Sequence, residues 1–191
     1  MFLLFHWGEI MKNNVLKFAI GILLCLLFIV CVSCVSADDS SDLTMLSLSK
    51  GGIVINYPSD WGYSQAESQY SIMSISKLDS IDALGVGQVN INIEKKPIEG
   101  DFYTFVNSTY KSMSKDSSFE LLSSGEVAVS GMTALEYTYT SSQNDTTIKE
   151  HKAVWFEKGG QAYVLLYSAP LDQFESNLYV FDYILSDIQI N

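Results

Sequence analysis

An almost unbroken apolar run over residues 18–35 separates a short leader from the rest of this chain. Lys12 and Lys17 precede the run, and small residues follow it at 35–37. A basic start, an apolar centre and a small-residue exit are together typical of a secretory signal. Because the run partitions into the bilayer and the lysines stay in the cytoplasm, the sequence that follows is expected outside the cytoplasmic membrane.

Residues 1–37 are therefore predicted to be a signal peptide or a membrane anchor, and membrane contact is expected only through residues 18–35. Met11 is the predicted true start, because Glu9 fits poorly into the basic region of such a signal. Three fates of the leader stay open: cleavage, retention as an anchor at the lower edge of a bilayer span, or lipid attachment at Cys34. The protein is accordingly expected to be secreted or held at the membrane.

The composition of the chain excludes several classes of function. All 3 cysteines lie at or before Cys34, so the sequence after the leader has no disulfide, no thiol nucleophile and no cysteine metal site. The chain has a net charge of -11 and contains no arginine. Nucleic acid is therefore not an expected partner, because affinity for it comes mainly from neutralising phosphates.

Alternating apolar and polar residues predict strands after the leader. Residues 38–50 are predicted to be a polar tether with a weak strand signal at 45–48, and one domain is expected over 51–191. The clearest strand covers 87–95, where Val89, Ile91 and Ile93 alternate with Gln88, Asn90, Asn92 and Glu94. One buried face and one wet face are typical of antiparallel sheets.

Two helices and two tight turns complete the predicted domain. Asp101 is a predicted N-cap ahead of apolar residues at helical spacing, and Pro170 is predicted in the first turn of a second helix. Residues 130–131 and 158–160 are predicted hairpin turns, since their glycines readily adopt positive φ. The order of strands, a helix, four strands and a helix indicates an α+β fold with a mostly antiparallel β-sheet. The second helix is expected to bury Leu171, Phe174, Leu178, Phe181 and Leu185.

Three segments, in this order, resemble the PsbP-like family. They are residues 52–61 with their Tyr57-Pro58 pair and Trp61, residues 127–137, and residues 162–170 leading into the last helix. The resemblance implies an α/β/α sandwich, with a sheet flanked by helices, and a non-catalytic binding or assembly subunit with no cofactor. Plant members support an oxygen-evolving photosystem, but a shared fold does not transfer that role.

Four aromatic residues around the first hairpin form a candidate partner surface. Tyr57, Trp61, Tyr63 and Tyr70 lie close together in sequence. If exposed, they would provide a platform for a protein partner or a glycan. The alternative is that they pack in the core.

Asn107 and Asn144 each begin an Asn-x-Ser/Thr glycosylation sequon. Asn144 is expected in an exposed hairpin turn, which suits modification. Asn107 lies on a predicted helix and is therefore the weaker acceptor.

The only histidine after the leader is His151, which is expected to be an ordinary strand residue because the sequence contains no G-x-S-x-G nucleophile motif. The nearest carboxylate pairs in sequence, Asp79 with Asp82 and Glu94 with Glu99, are expected on solvated loops. The first pair is also a weak calcium candidate, since it lacks the ligand pattern of a known loop. No catalytic, metal or cofactor residue is therefore predicted.

The predicted function is an exported, non-catalytic binding or assembly module whose partner is an envelope or membrane protein. The first alternative is an extracytoplasmic hydrolase of envelope material, expected to show a deep pocket with His151 or two close carboxylates. The second is a surface structural protein held by an uncleaved anchor. A binding module is expected to show an exposed apolar patch and no such pocket.

Overall fold

The computed structural model describes residues 44–64, 68–143 and 147–191. The predictions for the leader at 1–37, its start at Met11 and the sequon at Asn144 concern residues outside these ranges. The strands are β1 (Met45–Lys50), β2 (Ile53–Pro58), β3 (Trp61–Ser64), β4 (Ser71–Lys77), β5 (Asn90–Pro97), β6 (Glu120–Val129), β7 (Met132–Gln143), β8 (Thr147–Lys158), β9 (Gln161–Pro170) and β10 (Gln189–Ile190). The helices are α1 (Phe102–Met113) and α2 (Phe174–Asp187), and a 3-10 turn covers Leu78–Ser80.

Seven strands form the main sheet in the order β3-β4-β5-β9-β8-β7-β6. Every neighbouring pair in it is antiparallel, which confirms the predicted α+β class. β9 lies at the centre of this order, as its apolar sequence on both faces predicts. Three further strands, β1, β2 and β10, form a small second sheet.

The small sheet includes residues that precede the predicted domain boundary at residue 51. β1 lies inside the segment predicted as a tether, and it pairs with β2 from Met45 opposite Pro58 to Lys50 opposite Ile53. Leu48 of β1 packs partly buried against the core. The weak strand signal therefore corresponds to β1, whose residues are exposed apart from the half-buried Leu48. The folded domain thus includes residues 45–50 of the predicted tether.

Helix α2 and strand β2 cover one face of the main sheet. The residues that α2 buries are Phe174, Asn177, Val180, Phe181 and Ile184. Of the predicted face, Phe174 and Phe181 are buried, Leu178 and Leu185 are half-buried, and Leu171 is exposed. Leu171 lies outside the helix because Pro170 ends β9 opposite Lys149 instead of beginning the helix. Each fully buried leucine- or phenylalanine-sized side chain contributes about 2 kcal/mol before the loss of conformational entropy.

Helix α1 covers only part of the opposite face. The predicted N-cap is present, because the Asp101 carboxylate accepts a hydrogen bond of 2.8 Å from the Thr104 amide. Val106 and Tyr110 of the helix are buried in a cluster that includes Trp155 on β8. The rest of this face carries polar side chains and forms the site described below.

Within the described ranges, neither helix has the length and apolar character required to cross a bilayer. The two predicted glycine turns are present, with φ of 60° at Gly159 and 70° at Gly160 in the β8–β9 turn. A two-residue turn fixes the register of its two strands. That register determines which residues of β8 and β9 face each other in the site.

Candidate functional site

The structure separates the four aromatic residues of the predicted platform. Trp61 and Tyr57 are core residues with 1% and 7% of their surface exposed. Tyr63 and Tyr70 are exposed by 59% and 42%. Trp61 and Tyr63 lie two residues apart on β3 and so share a face of the strand, but Trp61 packs with Tyr57 in the core cluster and Tyr63 lies outside it. Only Tyr63 and Tyr70 are available to a partner.

Polar side chains line the part of the main sheet that α1 leaves open. Ser76, Asn90, Ser168 and His151 occupy directly opposite positions on β4, β5, β9 and β8, so they form one row across four strands. They lie on the same face of the sheet as the cluster under α1, which occupies other positions of β8 and β9. The cleft above this row is called the serine cleft here. It is lined by Ser74, Ser76, Ser141, Ser168, Asn90 and His151, with other residues named below.

His151 lies in the serine cleft between two hydroxyl groups. Its Nε2 atom is 2.9 Å from the Oγ of Ser141, and its Nδ1 atom is 2.8 Å from the Oγ of Ser168. The ring also stacks on Tyr139, with 4.8 Å between the ring centroids. Burial, with a smaller effect from the Lys149 charge, lowers the pKa of His151 to about 4. The imidazole is therefore neutral near pH 7, so one serine donates to the ring and the other accepts from it.

Three serines continue the polar surface towards the edge of the sheet. The Oγ of Ser64 donates to the Oγ of Ser74, and the Oγ of Ser76 donates to that of Ser64, both over 3.0 Å. Gly87 passes directly over Ser76: a Cβ atom on this glycine would lie 2.1 Å from the Ser76 Oγ. The missing side chain of Gly87 therefore allows the loop wall of the cleft to approach the strand.

That loop wall is held by the carboxylate of Asp82. It accepts hydrogen bonds from the Val86 amide at 3.0 Å and from the Gln88 side chain at 2.8 Å. The bond from the Val86 backbone is the main cause that lowers the pKa of Asp82. Asp82 is thus a structural anchor of the loop.

The one charged group that lines the serine cleft within the described residues is Lys149. It is buried, with 5% of its surface exposed, and its Nζ donates to the Gln88 carbonyl over 3.2 Å. No carboxylate lines the cleft in the same part of the chain. The polar part of the lining thus combines hydroxyl, amide and imidazole groups with one lysine that already has a protein partner, and Val86 and Leu166 form its apolar part.

The serine cleft has a volume of about 350 Å³, within the range of small-ligand sites. A second depression of about 420 Å³ adjoins it and shares Ser64, Ser68 and Ser74. Lys50 and Tyr63 line the far side of that depression. The Lys50 Nζ is 3.3 Å from the Tyr63 hydroxyl. The serine cleft and this second depression are together called the groove, which has Tyr63 at its outer end.

A pocket that contains His151, the feature expected of a hydrolase, is therefore present. The His151–Ser pairs have hydrogen-bond geometry, but both partners of the ring are hydroxyls. A general base works best with a pKa near the working pH, and a pKa of about 4 makes His151 a weak proton acceptor at neutral pH. A triad histidine also relies on a carboxylate to stabilise its charged form. The arrangement suits hydrogen bonding to a ligand better than proton transfer.

The expectation that the four candidate carboxylates lie on solvated loops is wrong for Glu94, which is a buried residue of β5. Glu94 is buried and forms an ion pair of 2.8 Å with Lys96, and it also accepts from Asn92. Asp79 forms an ion pair of 3.3 Å with Lys77, while Asp82 anchors the loop. In the residues that the structure covers, no three His, Cys, Asp or Glu side chains are grouped as a metal site would require.

The sequon at Asn107 lies on α1, where its side chain is exposed. The Oδ1 of Asn107 accepts a hydrogen bond of 3.2 Å from the Tyr137 hydroxyl. Its amide nitrogen is the atom that a glycan would modify, and use of this sequon stays a prediction.

The fold belongs to a known class of proteins. A family model described as PsbP-like protein matches residues 31–189, so the chain belongs to the PsbP-like family. No curated protein matches the chain in sequence.

Two solved structures share the fold. Cyanobacterial PsbP (CyanoP) from Synechocystis sp. PCC 6803 is 14% identical with a TM-score of 0.53, covering 83% of this chain and 98% of its own. LpqN, involved in cell envelope biogenesis of Mycobacterium tuberculosis, is 16% identical with a TM-score of 0.54, covering 82% of this chain and 96% of its own. At these identities the likeness establishes the fold alone.

Proposed function

We propose that this protein is an exported, non-catalytic binding module that works on the outer side of the cytoplasmic membrane and holds its ligand in the serine cleft. The observation that carries the proposal is the row of hydrogen-bonded side chains through His151 and Ser168 on the uncovered half of the sheet. Polar side chains without hydrogen-bond partners cost free energy in an apolar environment, and the side chains of this row provide donors and acceptors for a polar ligand.

The place of action rests on the leader and on the family. An apolar run behind two lysines directs the following domain across the membrane. LpqN, which shares the fold, is involved in cell envelope biogenesis, and this supports a role at the envelope. We expect the module to work together with an envelope or membrane protein that delivers or receives the ligand.

A hydrolase is the second candidate, because Ser141 and Ser168 both lie within 2.9 Å of His151. Binding and hydrolysis differ in the fate of the ligand. A module releases the compound that it bound, whereas a hydrolase releases smaller products.

The test uses the full chain labelled with nitrogen-15 and an extract of the host envelope. Saturable shifts of the His151 ring resonances, with recovery of an unchanged compound, are the expected result. Recovery of cleaved products would replace the proposal by the hydrolase. Absence of any shift at His151 or Ser168 with every envelope fraction would refute the cleft as a binding site.

Location is tested separately in intact host cells. External protease is expected to degrade the domain while a cytoplasmic control protein survives. The intact mass of the mature chain then separates a cleaved leader from an uncleaved anchor, because an anchor retains the 3 cysteines of the leader. A protected domain in intact cells that becomes degradable only after lysis would contradict export.

A further inference from the structure

We infer that the ligand of the serine cleft is a neutral carbohydrate chain, bound along the groove from His151 to Tyr63. This inference rests on the proposed function and adds the chemical class of the ligand. It follows from the donor and acceptor types, the charge and the shape of the groove.

The lining offers groups that both donate and accept hydrogen bonds. Seven serines and two asparagines line the serine cleft. Each hydroxyl has one donor and two acceptor positions, and each amide has both kinds. Sugar hydroxyls have the same double character, so each can donate to one side chain and accept from the next. A peptide or lipid offers far fewer such groups over the same area.

Some hydrogen-bonding positions of these side chains are not used by bonds within the protein. The neutral ring of His151 uses one position on Ser141 and one on Ser168. Whichever serine accepts from the ring retains its own O–H donor, and the other retains acceptor positions. The side chains are thus held in place for a ligand without being saturated, which reduces the entropy lost on binding.

Within the part of the chain that the structure describes, the lining has no side-chain clamp for an anionic ligand, and the one lysine in it is bonded to the protein. Lys149 is buried and donates to the Gln88 carbonyl, and its charge also acts on Asp82. Arginine, the side chain that clamps carboxylates and phosphates in two-pronged fashion, does not occur in the sequence. The groove therefore presents polarity without a built site for an anion.

The shape of the groove fits an extended ligand with several rings. The serine cleft and the adjoining depression share Ser64, Ser68 and Ser74, so the two lie side by side. Tyr63 lines the outer depression and is 59% exposed. An aromatic ring offers a flat apolar surface with a polar tip, which matches the apolar C–H face and the hydroxyl edge of a sugar ring.

The test is a titration of the full chain, held in a detergent without a sugar headgroup, with four neutral tetrasaccharides. The probes are maltotetraose, cellotetraose, mannotetraose and chitotetraose, and tetragalacturonate serves as the charged comparison. Saturable shifts at His151 and at the serines of the cleft are expected with at least one neutral probe. Tyr63→Ala is expected to weaken that binding by about tenfold, because it removes the aromatic end of the groove.

Tyr103→Ala is the matched control, since Tyr103 is an exposed tyrosine on α1 outside the groove. It should bind as the unmodified chain does. Both tyrosines are on the surface, so both variants should fold, and their thermal unfolding curves verify this.

The outcomes separate the two proposals. Binding of tetragalacturonate in place of the neutral probes refutes neutrality and leaves the binding module intact. No binding of any tetrasaccharide at about 10 mM, while an envelope extract still shifts His151, refutes the carbohydrate and again leaves the module intact. If neither the probes nor the extract shifts His151, both proposals fail.

Discussion

The Nδ1 atom of His151 lies 2.8 Å from the Oγ of Ser168, and the two residues are direct partners across the β8–β9 ladder. The register of a hairpin thus positions a half-buried imidazole between hydroxyls. Because the turn at Gly159 and Gly160 is tight, the register of this pair is fixed, and a slip by one residue would move the side chains of the slipped strand to the other face of the sheet. The positions of His151 and Ser168 in the polar row are therefore set by the pairing of β8 with β9.

The first prediction concerns pH. The pKa of His151 is lowered to about 4 in the folded chain, whereas the unfolded chain has the ordinary value of 6.5. Between these values the unfolded state binds more protons, so the free energy of unfolding falls as pH decreases from 6.5 towards 4. The stabilisation from neutral His151 is complete above pH 6.5, and we expect a loss of about 1–3 kcal/mol across this range.

An NMR titration of the imidazole measures this pKa directly, because only one other histidine, His6, occurs in the sequence. Urea unfolding at pH 7 and pH 5 provides the free energies, and His151→Leu is expected to reduce the difference between them. A ring that titrates above pH 6 would contradict the lowered pKa of His151.

The second prediction concerns the close approach of Gly87 to Ser76. A Cβ atom at Gly87 would lie 2.1 Å from the Oγ and 2.3 Å from the Cβ of Ser76. Gly87→Ala is expected to destabilise the fold by about 1–3 kcal/mol, because the loop wall must move away from β4. Ser76→Gly removes both contacting atoms and should restore part of this loss in the double variant.

Gly125→Ala is the control for that experiment, since nothing lies within 4 Å of its added Cβ and Gly125 is an exposed residue of edge strand β6. Its effect on the free energy of unfolding should stay within about 0.5 kcal/mol. Equal effects of the two alanine substitutions in urea unfolding would show that the loop does not press on Ser76.

Part of this site can be predicted from local signals in the sequence. The glycines at 159–160 predict a hairpin between β8 and β9, and the two-residue turn that the structure shows there places His151 opposite Ser168. The alternation over 87–95 likewise predicts the wet face that carries Asn90. These are local signals, and the structure agrees with both.

The assembly of the whole row could not be predicted in this way. Asn90 of β5 pairs with Ser168 of β9 although α1 and three strands separate them in sequence. The register of such a non-local pair is set by packing on both faces of the sheet, which no single segment encodes. The part of the face left open by α1 depends on the length and placement of that helix. The serine cleft thus arises from tertiary structure.

The third prediction separates the buried and exposed members of the aromatic group. Trp61 is 1% exposed, and its Nε1 has no hydrogen-bond partner among the described residues. Trp61→Phe therefore loses no such bond and is expected to cost about 1–2 kcal/mol, against about 3–5 kcal/mol for Trp61→Ala. Tyr63→Ala should change the free energy of unfolding by no more than about 0.5 kcal/mol. Urea unfolding of the three variants tests this order, and a large loss for Tyr63→Ala would mean that its ring packs in the core.

The fourth prediction concerns Ser130, which has a positive φ of 47° in the β6–β7 turn. Its Oγ donates a hydrogen bond of 2.7 Å to the carbonyl of Ile188 at the end of α2, so this turn is tied to the helix. Ser130→Ala loses the bond and keeps the backbone strain, and we expect it to cost about 1–2 kcal/mol. Ser130→Gly loses the same bond but adopts the positive φ freely, so it should be less destabilised than the alanine variant by about 1 kcal/mol. Thermal and urea unfolding of both variants measure the difference; alanine and glycine variants of equal stability would show that the turn is not strained, and two unchanged variants would show that the bond to Ile188 contributes nothing.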